Sequence, residues 1–192
     1  MGKIMNIYGK TVILRAPEQA DLPQLHQWAN DPELWNMLGG WRFASNSDSA
    51  SAWLKDLGRD PAHQRYVITR ADDGCLIGTA NLVNIDLKNG NAFHGMLLGD
   101  PHLKGKGYGR DTVMAIMRYA FEQLRLERLD GDIIEYNTAS QKLYLGKCGW
   151  KEEGRQRRWH FRNGRYWDRI IVGVIKEDYQ ALIAENHYWE TV

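Results

Sequence analysis

The chain has 192 residues, and its 25 Lys and Arg nearly balance its 24 Asp and Glu, for a formal net charge of +1. This length predicts a single domain over residues 1–192, and the balanced charge gives no support for a nucleic-acid partner. Two cysteines without metal-ligand spacing predict no disulfide framework, no metal site and a cytoplasmic location. No segment has the roughly 18 apolar residues of a membrane span, so we expect no membrane partner.

The first half of the chain predicts a strand, three short helices and two hairpins. The strand covers residues 10–16, two helices fall within 17–38, and a third follows the Ser/Asp-rich segment 45–49. Two glycine turns, at 73–74 and 88–90, then separate segments with strand composition. The last of these strands leads into a glycine cluster.

The second half predicts a helix, a strand, a second helix and a long hairpin. After the glycine cluster, apolar residues recur at helical spacing over about four turns. They are Val113, Ile116, Met117, Ala120, Phe121 and Leu124. A strand over 128–137, a helix over 138–149 and a hairpin turning at Asn163-Gly164 complete a mixed α and β order.

The glycine cluster, LKGKGYGRD at 103–111, places three glycines at every second position before a helix. It does not have the spacing of a Walker A loop, and Arg110 stands where a Rossmann fingerprint needs its third glycine. Two interpretations remain. The segment is a sharp strand-to-helix turn, or its N–H groups bind an anion at the helix N-terminus.

A second segment, NTASQKLYLGKCGW at 137–150, places polar side chains on one face of a predicted helix. Ser140 and Tyr144 follow Asn137 by three and seven residues, so the three side chains share that face. The alternative is an N-capped amphipathic helix with a tyrosine at the edge of the core.

Together, KGKGYG and the Asn137–Trp150 segment resemble the Gcn5-related N-acetyltransferases (GNAT). The first is similar to the family's pyrophosphate loop, with Lys104 in place of the usual Arg or Gln. The second is similar to a later family motif, with Trp150 in place of Phe. Gly78 and the chain ending resemble the branch of ribosomal-protein N-terminal acetyltransferases and spermidine acetyltransferases.

The resemblance implies an α/β (α+β) GNAT fold. Its mixed, mostly antiparallel twisted sheet has about seven strands, with helices on both faces and a splayed strand pair that holds coenzyme A. It implies transfer of the acetyl group of acetyl-CoA to a primary amine by direct attack in a ternary complex. The coenzyme-binding residues that it implies are Met96, Leu97, Leu98, Lys104, Gly105, Lys106, Gly107, Tyr108, Gly109, Arg110, Asn137, Ser140 and Tyr144.

The resemblance also implies the residues that move protons. Tyr144 matches the family's acid for the departing sulfur. His94 stands where relatives carry a glutamate base, and Glu135 is the fallback. An ordinary histidine pKa of about 6.5 predicts that activity falls on acidification at a higher pH than in glutamate-bearing relatives.

For the acceptor site, the sequence offers aromatic residues and a basic hairpin. Trp35, Trp41 and Trp167 are candidates for substrate binding, and the arginines of 155–169 form a solvated face or meet an acidic acceptor or RNA. The acceptor is expected to be a small-molecule or peptide amine, with a homodimer as an open alternative to a monomer. The rival function is a coenzyme-binding regulatory protein without catalysis.

Overall fold

The computed structural model describes residues 5–40 and 44–190, and its centre is one eight-stranded sheet. The strands are β1 (Ile7–Tyr8), β2 (Val12–Arg15), β3 (Gln64–Arg70), β4 (Leu76–Asp86), β5 (Asn91–Leu98), β6 (Arg128–Ile134), β7 (Lys151–Arg162) and β8 (Arg165–Ile175). Their spatial order is β1-β2-β3-β4-β5-β6-β8-β7, with β5–β6 parallel and the other pairs antiparallel. The sequence predicted about seven strands, because the two-residue β1 is too short to show a period.

The helices follow the predicted order, with one addition. They are α1 (Leu22–Ala29), α2 (Pro32–Asn36), α3 (Ser47–Asp56), α4 (Tyr108–Arg118), α5 (Thr138–Lys147) and α6 (Lys176–Asn186). Asp31 caps α2 and Asn46 caps α3 through their side-chain oxygens. The sequence did not predict α6, because it buries only Tyr179 and has almost no apolar period. Among the described helices, none is long and apolar enough to cross a bilayer.

The sheet carries helices on both faces, as neighbouring residues of β6 show. A methyl group built at Gly131 would lie 3.2 Å from the Trp150 ring, which follows α5. One built at Gly39, in the segment after α2, would lie 3.3 Å from Asp132. Because successive strand residues point to opposite faces, α5 and the segment after α2 lie on opposite sides of the sheet.

The main core lies between the sheet and α4. The helix is buried from Asp111 to Met117, and its apolar side chains join Val12, Leu14 and Ile68 in one cluster. The apolar face that the sequence period predicts for this helix is thus the face that packs on the sheet. The helix continues as a π-helical turn, Tyr119–Gln123, which completes the predicted length.

The strands β5 and β6 separate after a short parallel contact. They pair only from Asn91 to Phe93 on β5 and from Arg128 to Asp130 on β6. Beyond that point β5 continues along β4 to Leu98, whereas β6 continues along β8 to Ile134. A gap therefore opens from His94 onward, and it confirms the splayed strand pair.

Candidate active site

The glycine loop forms the N-terminal end of α4 with left-handed backbone. Gly105 has φ of 81° and Gly107, the N-cap residue, has φ of 92°. Both values favour glycine, and nothing lies within 4 Å of a methyl group built at either position. The first intrahelical bond runs from Asp111 N to the Gly107 carbonyl at 3.0 Å. The N–H groups of the preceding turn have no intrahelical partner, so they are available to an anion.

Gly109 has a different reason to be glycine. A methyl group there would lie 3.3 Å from Leu143 of α5 and 3.7 Å from both Met96 and Leu98 of β5. The loop therefore packs directly on the end of β5 and on α5. The predicted coenzyme-binding segments of β5, α4 and α5 meet at this point.

The loop cations differ in their surroundings. Lys104 and Lys106 are exposed, and Tyr108 packs against the core. The Arg110 guanidinium lies 5.0 Å from the centre of the Tyr188 ring, in cation–π contact, and its buried Nε has no partner among the described residues. Arg110 is thus held at the first turn of α4, where its charge favours an anion.

Asp111 is a structural anchor that the sequence did not reveal. Its carboxylate accepts hydrogen bonds from Lys10 N, Thr11 N, Thr11 Oγ1, Val12 N and the Tyr188 hydroxyl, over 2.6–3.0 Å. This side chain is buried, and a methyl group at Gly9 would collide with it. A carboxylate beside an anion site is unfavourable unless its charge is satisfied, and these donors satisfy it.

The end of β5 forms the free edge of the gap. Met96, Leu97 and Leu98 pair with β4 on one side only. A methyl group at Gly78 of β4 would collide with the Leu97 carbonyl, so this glycine allows the close approach of the two strands. The backbone of 96–98 presents hydrogen-bonding groups to the gap, as a pantetheine chain requires.

Asn137 caps α5 and links it to the opposite face. Its Oδ1 accepts from Ser140 N at 3.1 Å, and its Nδ2 donates to the Met37 carbonyl at 3.0 Å. The residue is buried, and both ends of its amide have partners within the protein. The direct contacts of Asn137 and Ser140 with coenzyme stay predictions.

Tyr144, His94 and Trp150 form an aromatic cluster under the gap. The ring centres of Tyr144 and Trp150 are 5.0 Å apart, and that of His94 lies 5.9 Å from Tyr144 and 6.1 Å from Trp150. The Tyr144 hydroxyl makes no hydrogen bond to another described residue. Burial raises the pKa of the Tyr144 phenol, so it stays protonated. The structure thus brings together two of the three predicted catalytic residues.

His94 is enclosed and uncharged. It is 2% exposed, its Nδ1–H donates to the Asn81 carbonyl at 2.9 Å, and its Nε2 has no partner among residues 5–40 and 44–190. Burial lowers the pKa of the imidazole to about 4, although the Asn81 bond opposes this. The expectation of an ordinary histidine pKa was therefore wrong: His94 charges at about the pH of a glutamate.

Glu135, the fallback base, is directed toward the hairpin. Its Oε2 accepts from Asp168 N at 3.2 Å, and its Oε1 lies 3.7 Å from the Arg155 guanidinium. Its contacts are with β7 and β8, and its role as a base stays a prediction.

Two of the three predicted acceptor tryptophans, Trp35 and Trp167, have contacts that the structure describes. Trp35 donates to the Trp28 carbonyl at 3.1 Å, and its ring packs on Gly40. Trp167 donates to the Arg162 carbonyl at 3.1 Å and packs on Tyr136 at 4.7 Å. Trp41 lies outside the described residues.

The site combines an anion-binding helix N-terminus, a free strand edge and a buried phenol. The sequence model of the Acetyltransferase (GNAT) domain matches residues 11–151. The chain belongs to the GNAT acetyltransferase family. It is an N-acetyltransferase that uses acetyl-CoA as its acyl donor, and the glycine loop and the edge of β5 fit that group.

Relatives and solved structures agree with this assignment. The uncharacterized N-acetyltransferase p20 of Bacillus licheniformis is 29% identical over 90% of this chain and 97% of its own length. The spermidine N(1)-acetyltransferase of Vibrio cholerae is 27% identical, over 86% of this chain and 94% of its own. A crystal structure of a spermidine N-acetyltransferase from Vibrio cholerae in complex with CoA and spermine has a TM-score of 0.81 and 26% identity, and covers 88% of this chain and 98% of that one.

Proposed function

We propose that this GNAT acetyltransferase acetylates a primary amine of a small molecule by direct attack, with both substrates bound at the gap between β5 and β6. The observation that carries the proposal is the meeting of three features at that gap. These are the free N–H groups of the glycine loop, the one-sided edge of β5 and the buried Tyr144 phenol.

The glycine loop has the task of binding the coenzyme diphosphate. The N–H groups at the first turn of α4 point away from the helix, and the helix dipole adds positive charge there. Lys104, Lys106 and Arg110 add three cations around the loop. Asp111 does not oppose this field, because its carboxylate is turned inward to the β1–β2 connection.

Tyr144 has the task of protonating the sulfur when the thioester, which supplies the activated acetyl group, is cleaved. Its phenol is neutral and unbonded, and it lies on the α5 side of the gap beside the free edge of β5. His94 packs against the phenol as a neutral imidazole with 5.9 Å between the ring centres, and its Nε2 is an unpartnered acceptor in the same cluster. A charge in this enclosed cluster is costly, so His94 stays neutral and Tyr144 keeps its proton until the sulfur takes it.

The acceptor side favours a small molecule over a protein N-terminus. Three hydrogen bonds hold the segment 36–40 over it: Asn137 to the Met37 carbonyl, Tyr136 to the Asn36 carbonyl, and Arg162 to the Gly40 carbonyl. Because these bonds fix the segment 36–40, the segment narrows the path by which an acceptor reaches the gap. The relatives that acetylate spermidine support a small amine as the acceptor.

The charge of the hairpin argues against a polycation as the preferred acceptor. Four hairpin arginines have no ion pair among the described residues: Arg157, Arg158, Arg162 and Arg165. Spermidine is thus a compound to test, and amines with neutral or anionic groups are expected to react at least as well. The free thiols of Cys75 and Cys148 suit the cytoplasm. A homodimer and the single domain 1–192 stay proposals.

A thiol-release assay with acetyl-CoA tests the proposal. Polyamines, aminosugars, amino acids and short peptides with free N-termini are compared, while calorimetry measures coenzyme A binding separately. We expect tight coenzyme binding and turnover with at least one small amine. Turnover with peptides alone would contradict the small-molecule acceptor, and absent coenzyme binding would contradict the site.

A further inference from the structure

A turn at residues 187–190 follows α6 and packs on the N-terminal end of α4. His187 ends α6 in left-handed backbone, with φ of 50°, which redirects the chain. Glu190 N donates to the His187 carbonyl at 3.0 Å, and Trp189 Nε1 donates to the Tyr179 hydroxyl of α6 at 2.9 Å. Hydrogen bonds within the turn and to α6 therefore fix the position of the 187–190 turn.

Tyr188 of this turn contacts three charged side chains around the first turn of α4. Its hydroxyl donates to Asp111 Oδ1 at 2.8 Å. The centre of its ring lies 5.0 Å from the Arg110 guanidinium carbon and 5.0 Å from Lys10 Nζ. The two cations repel each other, and the negative face of the ring offsets part of that repulsion. One tyrosine thus gathers two positive charges beside the glycine loop.

The contact with Tyr188 holds Arg110 without using its hydrogen-bond donors. An aromatic face attracts a cation through its quadrupole, so the five N–H groups of the guanidinium stay available. The buried Nε of Arg110 has no partner in the part of the chain that the structure describes. The adjacent Asp111 carboxylate accepts its five hydrogen bonds from residues 10–12 and Tyr188, so it does not take up the charge of Arg110.

A side chain that is fixed before the ligand arrives binds it at a lower cost in entropy. An unrestrained arginine or lysine loses rotamer freedom when it contacts a phosphate. Arg110 has lost part of that freedom already, because it is half-buried and lies against the Tyr188 ring. Lys104 and Lys106 are exposed on the same loop and must still be ordered. Among these three cations, Arg110 is thus the one that the fold prepares for an anion.

We infer that Tyr188 is a positioning residue for the coenzyme: its ring holds the Arg110 guanidinium where it contacts the phosphate groups of acetyl-CoA. The inference rests on the proposed role of the glycine loop in binding the diphosphate. Because Tyr188 acts through Arg110, its effect belongs to coenzyme binding and not to acetyl transfer. The 187–190 turn is then part of the coenzyme site, although 77 residues separate Tyr188 from Asp111.

Variants of Tyr188 test the inference. Tyr188→Leu removes the ring and should weaken coenzyme A binding about tenfold by calorimetry, whereas Tyr188→Phe keeps the ring and should retain most of the affinity. Pantetheine, which lacks the phosphates, should bind equally to all three proteins in an NMR titration. Arg118→Gln is the matched control. Arg118 lies 3.7 Å from the centre of the Trp189 ring at the other end of α4, so its loss should leave coenzyme A affinity unchanged.

A double-mutant cycle shows whether Tyr188 acts through Arg110. Arg110→Gln should weaken coenzyme A binding about tenfold, and Tyr188→Leu added to it should cause no further loss. Unchanged affinity in Tyr188→Leu, an equal loss of pantetheine binding, or a full further loss in the Arg110→Gln background would overturn the inference.

The same titrations separate this inference from the proposed function. If the wild type binds coenzyme A no more tightly than pantetheine, the proposed role of the glycine loop fails, and the inference fails with it. If the wild type prefers coenzyme A and Tyr188→Leu prefers it equally, the inference alone fails.

Discussion

The two faces of the sheet at the β5–β6 gap are built from different chemistry. On the α5 face, His94, Tyr144 and Trp150 form a closed aromatic cluster with neutral titratable groups. On the other face, Asp132 and Arg169 form an ion pair beside His160, under a segment held by hydrogen bonds. This difference fits the proposal that one face serves the chemical step at sulfur, whereas the acceptor approaches the other. Substitutions should therefore separate into those that affect the coenzyme side and those that affect the acceptor side.

The largest expected effect is on the coenzyme side. Gly107→Val forces a branched side chain into a left-handed backbone and removes several charge-assisted hydrogen bonds, so coenzyme A affinity should fall by about several hundredfold. Gly164→Val is the matched control, because this hairpin glycine also has positive φ and open space. Calorimetry should show normal coenzyme A binding by Gly164→Val. Equal weakening in both variants would show a general folding defect.

Tyr144→Phe should lower kcat about a hundredfold and leave coenzyme affinity nearly unchanged. The lost hydroxyl matters when charge develops on sulfur and contributes little to the bound ground state. Tyr179→Phe is the control, since this buried hydroxyl bonds Glu122 away from the gap and its loss should affect stability alone. An equal loss of kcat and coenzyme affinity in Tyr144→Phe would make the phenol a binding group.

His94→Gln should change the acid stability of the protein. With a folded pKa of about 4 and an unfolded pKa of about 6.5, the unfolded state binds more protons between these values. The free energy of unfolding should therefore fall by about 3 kcal/mol as the pH drops through this window in the wild type, and less in the variant. Urea unfolding at several pH values measures it. If the free energy of unfolding changes with pH in the same way in the wild type and in His94→Gln, then His94 is solvated.

The smallest expected effect is on the acceptor side. Arg162→Gln loses the bond to the Gly40 carbonyl, so the segment 36–40 is held less firmly. Because Arg162 is partly exposed, we expect a change of about threefold in the KM for the amine and no change in coenzyme A affinity. Steady-state kinetics with each substrate varied measures this. A larger effect on the coenzyme would show that the two faces are coupled.

The coenzyme half could be predicted from the sequence because its chemistry is local. Glycines at alternate positions, a following apolar period and an N-cap asparagine each act within a few residues, and they fold as expected at Gly107, Met117 and Asn137. The acceptor half could not be predicted in this way. Asp132, His160 and Gly39 are far apart in sequence, and no spacing rule links them.

The sequence by itself determined the family, the strand and helix order from β2 through β8, and the glycine loop for which coenzyme binding is proposed. Tertiary structure alone decided that His94 is buried beside Tyr144 and Trp150 and therefore has a low pKa. It alone decided that the Asp111 carboxylate points inward. It also decided that His160 meets Asp132 across a residue without a side chain. The physical reason is that burial and long-range contact set the charge of a side chain, and neither is written in its neighbours along the chain.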